Sequence, residues 1–226
     1  MKRIGIISAM WVEVDILHKA MQNIEQIDCC GMRYYKGRLG NANVVLSTCG
    51  VGKVNAAIYT QIMIDRFGVD TIFHTGVAGS MEEGVSHLSV VVADSLTYYD
   101  VRREQLLSLF PFQETFKADA ALASMLLDCA GSGAKLGMIL TGDSFISTAE
   151  RKYELKAQYP LALCVEMEGC AVAHAAFVNG VPFGIIRCIS DLANEDAACD
   201  YDDFEQRAAQ RASGIVLKAI ERIGAS

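Results

Sequence analysis

An α/β fold, one mixed and twisted β-sheet carrying helices on both sides, is what this 226-residue sequence predicts. Two observations carry the expectation. Short apolar runs of strand length alternate with longer amphipathic runs of helical period, the order that lays helices over a sheet. Hydrophobic residues make up 52% of the chain, and no linker or change of composition divides it, so one domain over residues 1–226 is expected.

Taken in order, RIGIIS (3–8) reads as a buried strand, followed by a helix of period 3.6 carried by Met10, Val14, Leu17 and Met21. RYYKGRL (33–39) and NVVLSTC (43–49) form a hairpin across Gly40-Asn41-Ala42, where glycine makes a positive φ cheap. A helix over 53–66 is capped by Gly68, and DTIFHTG (70–76) is the next strand. Val77, Ala78 and Gly79 then read as a tight turn of small residues. SVVVADS (89–95) is a strand and DAALASMLLDCA (119–130) a helix, stopped by the Gly/Ser break at 131–133. KLGMILTG (135–142), LALCVE (161–166) and FGIIRCIS (183–190) are further strands, the last two divided by a helix over 169–178. A long helix over 202–223 closes the chain, with Phe204, Ala208, Ile215, Leu217 and Ile220 as an incomplete apolar stripe.

Composition excludes several classes of function. A formal net charge of -7 puts no basic field on the surface, so neither nucleic acid nor an anionic membrane is an expected partner. The eight cysteines lie scattered in apolar runs such as IIRCIS, which suits reduced thiols used as small core residues. There is no CxxC or HExxH, and the four histidines share no ligand-like spacing, so neither a metal nor a cofactor is expected. The first apolar run is cut by WVEVD (11–15), too early for a signal peptide, and no run reaches the length of a membrane span. A cytoplasmic protein is the expectation.

The acids fall at the ends of apolar strands. Glu13 follows the first strand, Asp143 follows MILTG, Glu166 and Glu168 follow LALCV, and Asp191 follows IIRCIS. A strand buried along its length presents its last residue to a crevice, although any one of these acids is equally consistent with a helix cap. Carboxyl groups on separate strand ends suit the breaking of an N-glycosidic bond. That chemistry needs an acid for the leaving base, a carboxylate beside the electron-poor sugar, and another to orient or deprotonate water.

Seven segments carry a resemblance: GIISAMWVEV (5–14), CGVGKVNAA (49–57), HTGVAGS (74–80), VVVADS (90–95), TGDSFIS (141–147), VEMEGCAVAH (165–174) and IRCISDLA (186–193). In this order the chain resembles the 5'-methylthioadenosine/S-adenosylhomocysteine nucleosidases of the nucleoside phosphorylase superfamily. The resemblance implies a three-layer α/β/α fold and a homodimer. It also implies hydrolysis of the N-glycosidic bond of methylthioadenosine and S-adenosylhomocysteine, releasing adenine and a 5-thioribose product. Hydrolysis of 5'-deoxyadenosine or 6-amino-6-deoxyfutalosine is an alternative, as is a nucleoside-binding protein without turnover.

By the same resemblance Glu13 activates water, and Asp191, supported by Ser190, protonates N7 of adenine. Glu168 accepts hydrogen bonds from both ribose hydroxyls, with Met167 packed beside the ribose or serving as a plain core methionine. Phe145 and Ile146 form the adenine pocket, and Val77, Ala78 and Gly79 bring backbone close to the sugar. Met10, Val51 and Phe204 wall the 5'-thio group, with ordinary core packing as the competing reading for all three. Arg187 pairs with a site carboxylate as support. GVGK (50–53) lacks the first glycine and the Ser/Thr of a triphosphate loop, and its glycines let the backbone turn under the sugar. The loop SAMWVE holds an acid and no arginine, which favours water over phosphate as the attacking group. The resemblance thins over 99–116, where Leu106, Leu107, Phe110 and Phe112 are candidates for a lid or a dimer contact.

Overall fold

Arg3–Ser8 becomes a strand, β1, because both of its faces find apolar partners: Ile4 and Ile6 point into one core cluster and Ile7 into the other. The computed structural model describes residues 3–225. After β1 come a 3-10 turn at Trp11–Glu13, α1 (Asp15–Ala20), β2 (Gln22–Cys29), β3 (Met32–Leu39) and β4 (Ala42–Thr48). α2 (Lys53–Phe67), β5 (Thr71–Ser80), β6 (Val90–Tyr98), α3 (Arg103–Ser108) and β7 (Thr115–Lys117) follow. The chain continues with α4 (Ala120–Ala130), β8 (Lys135–Thr141), α5 (Ala149–Gln158), β9 (Ala162–Glu166), α6 (Gly169–Val178), β10 (Phe183–Asp191) and α7 (Ala197–Ala225).

The strands form one ten-stranded mixed sheet whose main path runs β10-β6-β8-β9-β5-β1-β4-β3-β2, with β7 beside β6. β5 is the hinge of the arrangement. Its length pairs in parallel with β1 and β10, and its last residues, Gly79 and Ser80, pair antiparallel with β9. Since β10 also pairs with β6, the strands β5, β10, β6, β8 and β9 close into a ring, from which β1, β4, β3 and β2 extend. One face is covered by α1, α4 and α7, whose Leu17, Leu126 and Val216 pack on Ile6, Leu46 and Ile186. The other is covered by α2 and α6 through Ala56, Met63, Val172 and Ala176. Helix ends follow local chemistry: the Asp119 carboxylate accepts from Ala121 N and Leu122 N, both at 3.0 Å, and Gly68 ends α2 at φ 62°.

Three expectations from sequence need correction, and β2 and α5 stand where the sequence predicts no element. Residues 10–21 are not one helix, because the chain first makes the 3-10 turn, α1 starts only at Asp15, and Met21 is already extended at ψ 146°. β2 was not expected: its QNIEQIDC is almost wholly exposed at the sheet edge and has no apolar face to announce it. Val77, Ala78 and Gly79 are not a turn, since β5 runs on through them, bonded to Cys188, Ile189 and Asp191 of β10. The last helix starts at Ala197 rather than 202. In the segment 99–116, Leu106 is buried while Leu107, Phe110 and Phe112 are exposed.

Candidate active site

The strand ends meet at one place. A cavity of about 350 Å³ opens where β1, β5, β9 and β10 end and α7 begins. Eleven of the residues picked from sequence line it: Met10, Glu13, Val51, Val77, Ala78, Gly79, Phe145, Met167, Glu168, Ser190 and Asp191. Its size suits a small organic ligand.

Glu13 ends the 3-10 turn and is turned inward by three donors. Its Oε2 accepts from Ser8 Oγ at 2.6 Å and from Met10 N at 2.9 Å, and its Oε1 accepts from Val77 N at 3.1 Å. Burial pushes its carboxyl above the usual carboxylate range, against the opposing pull of Arg187 and of these donors. Glu168 precedes α6, and its Oε1 accepts from Gly52 N at 2.7 Å. That contact ties the glycine turn after β4 to the far side of the cavity. Burial, joined by the repulsion of Glu166, pushes Glu168 up to about 8. Asp191 ends β10, where a bulge between Ile189 and Asp191 re-aims the strand end. Its Oδ2 accepts from Ser190 Oγ at 2.9 Å and its Oδ1 from Ala193 N at 3.0 Å, while burial raises its pKa.

A buried ion pair joins Glu166, which lines the cavity, to Arg187 behind it. Arg187 Nη2 donates to Glu166 Oε2 and to His74 Nε2, and Glu166 also accepts from Thr141 Oγ1, Glu168 N and Gly169 N. Burial alone would raise Glu166, but the Arg187 guanidinium and the hydrogen bond from Thr141 outweigh it and hold the carboxyl below its usual range. His74 is pushed down to about 3 by burial and by Arg187, so it is neutral. Its partners then fix the tautomer: Nδ1 donates to Ile7 O at 2.8 Å and Nε2 accepts from Arg187. Ligand atoms of His74, Glu166 and Glu168 lie within 4.8 Å of one another, yet Arg187 already supplies a cation to two of these residues. A metal would have to displace it.

Gly76 lets this pair approach Glu13. A Cβ there would stand 2.7 Å from both Arg187 Nη1 and Glu13 Oε1. Among the described residues no lysine, arginine or histidine lines the cavity, so its wall offers no cationic side chain to a phosphate.

Comparison with known proteins fits this geometry. The Phosphorylase superfamily model matches residues 3–221. A 5'-methylthioadenosine/S-adenosylhomocysteine nucleosidase of Staphylococcus saprophyticus is 38% identical over 97% of this chain and 100% of its own length. The chain belongs to the 5'-methylthioadenosine/S-adenosylhomocysteine nucleosidase family. Among solved structures, an S-adenosylhomocysteine nucleosidase of Streptococcus pyogenes in complex with 5-methylthiotubericidin superposes with a TM-score of 0.93 at 31% identity, over 98% of this chain and 97% of that one. A futalosine hydrolase of Helicobacter pylori superposes at 0.90 and 30% identity, over 98% of both chains.

Set in this nucleosidase fold, three of the residues picked from sequence lie elsewhere than on the cavity wall. Ile146 is buried and lines a small side recess shared with Gly79, Phe145 and Asp191. Arg187 sits behind the wall, paired with Glu166. Phe204 does not reach the cavity: its ring stacks on His87 with centroids 4.4 Å apart. Tyr201, one helical turn earlier, does line the cavity, beside Ala198 and Asp202, and meets Phe145 edge-on at 6.0 Å. Sequence reading also missed Ser8 and His74. The signal available for both was their position on strands flanking Glu13.

Proposed function

We propose that this protein hydrolyses the N-glycosidic bond of adenine nucleosides bearing a 5'-thio substituent, methylthioadenosine and S-adenosylhomocysteine, releasing adenine and the corresponding 5-thioribose. The observation that carries the reading is the lining of one cavity by Glu13, Glu168 and Asp191, three acids from separate elements, each raised by burial. Asp191 gives its proton to N7 as the bond between N9 and C1' breaks and its electrons pass into the purine. Glu168 accepts from the ribose hydroxyls and lies beside the sugar cation, whose positive charge favours the ionised form of its carboxyl. Water adds its oxygen to C1' and gives a proton to Glu13. Adenine lies between Phe145 and the Gly79–Asp191 side, and Met10, Val51 and Tyr201 surround the 5' substituent.

Hydrolysis is favoured over phosphorolysis because the cavity wall is acidic and its nearest guanidinium is neutralised by Glu166. Assays of adenine and reducing-sugar release test this with methylthioadenosine, S-adenosylhomocysteine, 5'-deoxyadenosine and 6-amino-6-deoxyfutalosine, each with and without phosphate. The two thioether nucleosides should be the best substrates, at a rate independent of phosphate. No base release, or release only with phosphate, would overturn the reading.

The same reading places the protein in the cytoplasm as a homodimer. Its eight cysteines are free, and no helix of the described residues is long and apolar enough to cross a membrane. Leu107, Leu109, Phe110 and Phe112 form an exposed apolar edge suited to a second copy. Light scattering should give twice the chain mass of 24.5 kDa.

A further inference from the structure

Ser8 is the last residue of β1 and is fully buried. Its Oγ lies 2.6 Å from Glu13 Oε2 and 2.5 Å from the main-chain carbonyl oxygen of Thr75 on β5. A hydroxyl has one proton to give and two lone pairs to receive. Ser8 therefore stands between two acceptors and donates to one of them at a time. When Glu13 is ionised, the proton points at its carboxylate, which then holds three donors, from Ser8, Met10 and Val77. When Glu13 carries a proton on Oε2, that oxygen becomes a donor, and two donors facing each other would repel. The Thr75 carbonyl removes the conflict, because Ser8 Oγ can turn its own proton to it and accept from Glu13.

We propose that Ser8 is a positioning residue for the hydrolytic step, its hydroxyl turning between Glu13 and the Thr75 carbonyl so that both protonation states of Glu13 keep a full set of hydrogen bonds. This rests on the reading of Glu13 as the group that takes a proton from water. Before attack Ser8 holds the carboxylate as an anion aimed at the cavity. After attack it receives the acid form without any movement of backbone. The other groups that act on Glu13 do not change role in this way. Arg187 of β10 draws Glu13 toward the anion throughout, the Glu168 carboxyl opposes it, and Cys49 beyond β4 and Tyr201 of α7 are neutral neighbours with raised pKa values.

The pH profile of kcat/KM separates this role from simple packing. In Ser8→Ala the Glu13 anion keeps two backbone donors and loses its only side-chain donor. Its pKa should rise, moving the acidic limb up by about one unit. KM should stay within about twofold, kcat on the acidic limb should fall by up to about tenfold, and most of the loss should be recovered at higher pH. Ser8→Thr keeps the hydroxyl and should return the limb to its original place. Should Ser8→Ala not fold, Ser8→Gly carries the same expectation. A limb that stays in place, or a loss equal at every pH, would overturn the role of Ser8. Glu13→Gln keeps the two readings apart. Retained hydrolysis in that variant would remove Glu13 as the base, whereas a dead Glu13→Gln beside an unshifted Ser8→Ala would remove Ser8 alone.

Discussion

Asp191 can protonate a purine only in the molecules that still hold its proton, and burial enlarges that share near neutral pH. Ser190 and Ala193 hold the side chain in place but pull the pKa the other way, so the net rise shows how strongly the cavity desolvates it. Activity should therefore fall as pH rises through the raised Asp191 pKa, and fall as pH drops through the raised Glu13 pKa. Asp191→Asn keeps the shape and a donor N–H but has no proton to transfer. It should bind adenine nucleosides about as well as the parent while kcat drops by at least about a hundredfold and the alkaline limb disappears. Near-normal kcat in that variant, measured with methylthioadenosine, would remove Asp191 from the mechanism. At this scale the sequence was informative where an acid ends an apolar run, as at Glu13, Glu168 and Asp191. It misled at Phe204, because Tyr201 and Phe204 lie three residues apart on one helix and only the helix start decides which one reaches the cavity. For Ser8 and His74 it offered only a strand position, because their contacts are with residues 67 positions away.

The elements that carry the site pack backbone against side chain, most closely where β5 passes Arg187 and Glu13. Gly76 pairs with Arg187 across the β5–β10 ladder, and an added Cβ has no free direction. Gly76→Ala should cost about 1–3 kcal/mol through overpacking. Because the atoms it would push are those of Glu13 and Arg187, kcat should fall by more than roughly tenfold as the acid leaves its place. Gly214→Ala on α7 is the control, since nothing lies within 4 Å of its added Cβ, and it should be neutral or mildly stabilising. Thermal melts and turnover of both variants check the pair, and a Gly76→Ala protein as stable and as active as the parent would contradict the close approach. Strands with two apolar faces, such as β1, β4 and β10, were legible from composition alone. β2 was not, because its exposed polar residues carry no period, and β5 was read short because Gly76 and Gly79 look like turn residues although they serve a close packing inside the strand.

Over the whole molecule, the closing of β5 through β10 into a ring gathers acids that lie up to 178 residues apart in sequence, and alternation of strands and helices foretells a layered sheet without foretelling that closure. Gathering them has a consequence for stability. Glu168 is raised from an ordinary 4.5 to about 8, so between these values the folded chain holds a proton that the unfolded chain releases. That contribution is fully present below 4.5 and is lost as pH rises toward 8, and the raised Glu13 and Asp191 act in the same sense. Two buried groups act oppositely: His74, lowered from 6.5 to about 3, and Glu166, held below its usual range, both lose stability as pH falls. Above the ordinary histidine value of 6.5 these two are spent, and the raised acids alone remain. The ligand-free protein should therefore lose roughly 1–2 kcal/mol between about pH 6.5 and 8 from Glu168. At about 2–4 °C per kcal/mol for a chain of this size, the fall is large enough to read as a melting temperature. Glu168→Gln, which is neutral at every pH, should flatten the decline, leaving only what Glu13 and Asp191 contribute. A wild-type melting temperature constant over this range, or an equal decline in Glu168→Gln, would show that Glu168 does not keep its proton in the empty site.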